Sequence, residues 1–126
     1  MAEREGLIKR LFVTKETNVS QCYAIWICKD SQWVQVILDD FLPCRKEDGD
    51  PAFSRANGEE LWVLLLEKCY AKIYGAYDKI EAGQTIESIK DLTGAPGKSI
   101  KNEDPEIIWE FILTNERKNF ILTCGS

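Results

Sequence analysis

The sequence contains no histidine and a single methionine among 126 residues. Without an imidazole the chain cannot by itself build the Ser-His or Cys-His pair that activates most nucleophilic hydrolases. It has no CxxC pair either, and the two absences together exclude the common structural zinc sites. No GxGxxG or Walker A stretch is present to cradle phosphates. No apolar run approaches the ~20 residues of a bilayer-spanning helix, and the opening "MAEREGLIKRLF" lacks the apolar region of a signal peptide. The net charge is −5 and no block is basic, which argues against nucleic acid or an anionic membrane as partner.

What is present is the balance of a globular chain. Hydrophobic residues make up 44% and charged residues 29%, and the length suits one domain with a real core. The five cysteines, Cys22, Cys28, Cys44, Cys69 and Cys124, are odd in number and irregularly spaced. With no secretion signal, that pattern predicts reduced thiols and a cytoplasmic location. Most of them fall in apolar surroundings, where cysteine acts as a small hydrophobe.

Residues 5–14 carry Leu7, Ile8, Leu11 and Phe12 at helical spacing and read as the end of a helix. "CYAIWIC" then alternates, with Tyr23, Ile25 and Ile27 on one side and Ala24, Trp26 and Cys28 on the other. In "WVQVILDD", Val34, Val36 and Leu38 share a face, and the polar "KDSQ" between the two runs predicts an antiparallel hairpin. "PCRKEDGDP" is a charged loop bracketed by prolines.

The stretch 58–85, "GEELWVLLLEKCYAKIYGAYDKIEAGQT", predicts a helix that is apolar nearly all round in its first turns, hence buried. Gly75, in "YGAY", bends or ends it, and Gly83 centres a turn. A second helix over "TIESIKDLT" stops at Gly94. Residues 95–105 read as a linker, followed by a helix, "EIIWEFILTNE", and a strand, "NFILTC".

Three features could carry chemistry. Asp39 and Asp40 would serve as metal ligands or an acid/base pair, yet adjacent strand residues point to opposite faces. The plainer reading has them end a strand and cap the turn before Pro43. Glu60 completes Asn57-x-x-Glu60, a capping box, or supplies a carboxylate to a hard cation such as calcium. Gly83 is a turn residue, or a place where a substrate backbone comes close.

"LIKRLFVTKETN", then "WVQVILDDFLPC", then "LWVLLLEKCYAKIYGAYDKIEAGQTIESIKDLTGAP", in that order, resemble the calpain family of cysteine proteases. Within it the wording is most similar to the calpain-15 or small-optic-lobes branch. The likeness runs from about Leu7 to Gly94 and is looser over residues 107–125.

The resemblance implies an α+β chain that is part of a papain-like fold, whose helical first subdomain faces a β-rich second across the cleft. Residues 1–94 would be part of the first subdomain without its catalytic helix, 95–106 the crossing, and 107–126 the start of the second. In the family the catalytic cysteine and its helping glutamine precede the position of Leu7. The histidine and asparagine follow that of Ser126. None of the five cysteines takes the nucleophile's place.

The chain then reads as a segment of an intracellular, calcium-dependent cysteine endopeptidase, inactive alone, acting on protein and peptide substrates. The alternative is a non-catalytic calpain homologue that serves as a binding module. By the same resemblance Glu60 matches a glutamate that helps bind calcium, and Gly83 matches a glycine that pairs with bound peptide. Ala82 stands where calpains have a further glycine. The absent catalytic helix should leave Leu61, Trp62, Leu65, Leu66 and Cys69 uncovered, with self-association through that exposed face.

Overall fold

The structure, a computed structural model, describes residues 6–54, 60–80, 83–101, 104–118 and 120–123. Its centre is the expected hairpin: β1 (Cys22–Lys29) pairs antiparallel with β2 (Gln32–Asp39), with Tyr23 opposite Leu38 and Ile25 opposite Val36. The loop is tighter than the four polar residues suggest. Lys29 pairs with Gln32, leaving only Asp30 and Ser31, both at positive φ (+49° and +65°). Two left-handed residues match the twist of the strands they join.

Alternation placed the faces well. Tyr23, Ile25, Ile27, Val36 and Leu38 are buried, while Val34, nearest the turn, stays 44% exposed. Each fully buried isoleucine contributes roughly 1.5–3 kcal/mol of apolar burial. On the free edge of β1, Val13 N donates to Ala24 O at 2.9 Å, and Phe12 bridges to Ile25. The expected helix end over 5–14 is a short 3-10 turn, Lys9–Leu11, which feeds Leu11 and Phe12 into the core.

Three α-helices follow. The first, α1 (Trp62–Tyr74), ends at Gly75 with φ +99°. Next, α2 (Thr85–Thr93) ends at Gly94 with φ +68°. The last, α3 (Pro105–Arg117), is capped by Asp104, whose Oδ1 accepts from Glu106 N at 2.9 Å. The architecture is α+β, as expected. Leu65 and Cys69 of α1 and Leu92 of α2 close the core over the hairpin's inner face.

Two expectations are corrected. The apolar face of α1 is not bare: Leu65 and Cys69 are buried, and Leu61, Trp62 and Leu66 pack half-buried against the same core. They pack into one core with the hairpin's inner face, so none of these five side chains is exposed as expected. And residues 120–123 form no strand; Phe120 N instead bonds back to Asn115 O at 3.1 Å. Exposed apolar side chains lie elsewhere, on the outer hairpin face (Trp26, Trp33, Ile37) and on α3 (Ile107, Ile108, Trp109, Ile112).

Candidate functional site

Glu60 sits just before α1 and is exposed. Its Oε2 accepts a hydrogen bond from Trp62 Nε1 at 3.2 Å. Leu61 holds the N-cap position without a side-chain cap. Asn57, the other half of the expected capping box, lies outside the described residues, as do Ala82 and Cys124. Gly83 is exposed and two residues ahead of α2. A Cβ built on it would meet nothing within 4 Å, so the space above its backbone is open.

Asp39, Asp48 and Asp50 are engaged by neighbouring groups. Asp39 Oδ1 accepts from Phe41 N at 2.9 Å and from Lys68 Nζ at 2.5 Å. The Lys68 hydrogen bond, then that of Phe41 N, holds the Asp39 carboxyl below its ordinary range. This is the turn-capping role anticipated for Asp39. Asp48 and Asp50 both contact Arg45 Nη2, at 2.6 and 3.4 Å, inside a loop closed by Arg45 N to Asp50 O. Arg45 thus offsets part of the loop's negative charge.

Calcium prefers six to eight oxygens. Among the described residues no three histidine, cysteine, aspartate or glutamate side chains cluster to hold a metal ion. Glu60 offers one carboxylate, so the described residues do not by themselves fit a calcium site.

The described thiols divide by burial. Cys28 and Cys69 are buried, and burial pushes the Cys69 thiol up to about 12, with Lys72 opposing only weakly. Cys22 and Cys44 are exposed, and with no histidine in the sequence no thiolate–imidazole pair forms within the chain. An open groove of about 250 Å³ is lined by Arg10, Leu11, Trp26 and Trp33. It is smaller than the usual small-molecule pocket.

The chain therefore combines an open glycine backbone at Gly83, an exposed carboxylate at Glu60 and no histidine to pair with a thiol. Compared with known proteins, it matches the family described as calpain family cysteine protease over residues 1–126. The chain belongs to the calpain family of cysteine proteases.

Among calpain relatives, it is 34% identical over 94% of its length to the calpain-type cysteine protease ADL1 of Oryza sativa subsp. japonica. The calpain-type cysteine protease DEK1 of Zea mays gives the same identity and coverage. With the human calpain-1 catalytic subunit it shares 36% identity over 75% of its length. It spans only 6% of each plant protein and 13% of human calpain-1.

One polar centre escaped the sequence reading. Asp91, at 7% exposure, is the one buried charged side chain among the described residues. Its Oδ2 accepts from Tyr74 Oη at 3.2 Å, and Tyr74 Oη accepts from Lys29 Nζ at 2.8 Å. Burial, the largest influence, pushes the Asp91 carboxyl up, against the Tyr74 hydrogen bond and Lys29. An aspartate within an amphipathic helix reads as solvent-facing, so only the tertiary packing reveals it.

Proposed function

We propose that this chain forms a cleft wall and helical core in a calpain-type cysteine endopeptidase. One observation carries the reading: the family match extends over residues 1–126, yet the chain contains no histidine. The acyl-transfer cysteine, its histidine base and the asparagine would then be supplied by residues outside this chain. Gly83 would offer its open backbone to a bound peptide. Glu60 would lend one carboxylate to a calcium site completed by other ligands. The substrates would be proteins and peptides, and the setting intracellular. The wording of the α1 segment supports a place near the calpain-15 or small-optic-lobes branch.

A second reading, a calpain homologue that binds proteins without cleaving them, is favoured by the same missing histidine. The full open reading frame, expressed and assayed on a quenched fluorescent peptide with and without calcium, separates the two. Turnover that thiol alkylation abolishes supports the protease. Peptide binding without turnover supports the binding module.

A further inference from the structure

Only Asp91 and Leu92 of α2 are buried, so apolar packing alone seats this helix weakly. Three polar ties from two other elements, α1 and the 3-10 turn, do the rest. Tyr70 Oη donates to Ser88 O at 3.3 Å, Arg10 Nη2 donates to Thr93 O at 3.2 Å, and Tyr74 Oη donates to Asp91. The last tie is the best protected, because its acceptor is buried. It is also extended, since Lys29 at the end of β1 donates to the same phenol and lies 4.3 Å from its ring centre. A directional chain thus runs from β1 through α1 into α2.

What this helix carries gives the chain its meaning. Gln84 O accepts from Glu87 N at 3.0 Å and Ser88 N at 3.2 Å, so Gln84 is fixed to the first turn of α2. Gly83 is the residue before it, and nothing stands over its Cα. Where α2 lies therefore determines where the Gly83 backbone is presented.

We propose that Lys29, Tyr74 and Asp91 act as a positioning latch that sets α2, and through it the Gly83 backbone offered to a bound peptide. The peptide half of this rests on the reading of Gly83 given above. Tyr74 is the pivot, because it alone touches both partners. A buried carboxylate that loses its donor bears the full cost of an unmet acceptor. Such a loss is felt first at the helix it belongs to, and Gly83 moves with that helix.

Amide hydrogen exchange followed by NMR on the full chain tests this. Tyr74→Phe keeps the ring and removes the hydroxyl. It should quicken exchange at Glu87 and Ser88, whose amides bond to Gln84 O, by about tenfold, the effect of losing one hydrogen bond to a charged group. Ile25 and Ile27 in β1 should be unchanged. Asp91→Leu should match Tyr74→Phe, while Asp91→Asn, which keeps an acceptor, should stay near the unsubstituted chain. Exchange at Glu87 and Ser88 that is unaffected in Tyr74→Phe, or that quickens equally at Ile25, overturns the latch. Titration with an unstructured ten-residue peptide gives a separate readout. A Gly83 amide that does not shift in the unsubstituted chain removes the substrate role itself, whatever the exchange shows.

Discussion

Lys68 of α1 donates at once to the carboxylate of Asp39, to Asp39 O at 3.1 Å and to Phe41 O at 2.6 Å. All three ammonium protons are thereby used, and the end of β2 is tied to the middle of α1. Lys68→Met should lower the melting temperature by a few degrees and loosen residues 39–42. Asp39→Asn should cost less, since both carbonyl bonds survive. Thermal melts of the two variants against the unsubstituted chain check the order.

The same contact sets a pH dependence. The folded Asp39 carboxyl lies below its ordinary value of 3.8, so the folded state prefers it ionised. Its contribution is present above pH 3.8 and is lost as pH falls through the lower, folded value. Urea midpoints measured from pH 7 downward should therefore drop less steeply in Lys68→Met below about pH 4.

Asp91 should behave in the opposite sense. Its carboxyl is raised above 3.8, facing Tyr74 of α1, Lys29 of β1, Asp30 of the turn and Glu87 of its own helix. The folded state thus prefers the protonated form. The stability it gains is fully present below pH 3.8 and is lost as pH rises through the folded value. Asp91→Asn should gain on the unsubstituted chain as pH rises from 3 toward 7, and urea midpoints across that range read it directly.

Thiol labelling should follow burial. Cys22 and Cys44 should react with an aromatic disulfide in the native state, and Cys28 and Cys69 only on unfolding. A Cys124→Ser background removes the remaining thiol from the count. Rapid native labelling of Cys69, whose thiol is pushed up to about 12, would show the core to be open.

Gly94→Ala should cost about 1–2 kcal/mol for the left-handed backbone alone. A further penalty follows because the new Cβ would sit 3.0 Å from Trp33 Cζ2. Gly75→Ala meets the strain without the contact and should cost less. Chemical denaturation of both variants measures the difference.

The parts legible in the sequence are those set by short-range pattern. Period-two alternation gave the buried face of the hairpin, and Gly75 and Gly94 marked the ends of α1 and α2. The aspartate ending β2 caps its turn as its position suggested. What was not legible depends on distant partners. Nothing local in "EKCYAK" says that Lys68 will reach Asp39, 29 residues earlier. The burial of Asp91 depends likewise on Tyr74, 17 residues before it. The strand expected at "NFILTC" has the right residues, but the described part pairs with no neighbouring strand. The open space at Gly83 and the lone carboxylate at Glu60 acquire a role only through the family resemblance.

Lys72, one helical turn after Lys68, donates to Ile37 O at 2.7 Å. Four residues of helix rise about 6 Å, and two residues of strand rise about 6.6 Å. The two lysines therefore act as a vernier, reading off alternate carbonyls of β2, Ile37 and Asp39, along one edge. A slip of one residue would turn those carbonyls toward β1 and bring the carbonyls of the neighbouring residues to the edge in their place, so the lysines alone do not choose the register. The helix is thus pinned to the strand's edge at two points, while the register itself is held by the buried face of Tyr23, Ile25, Ile27, Val36 and Leu38.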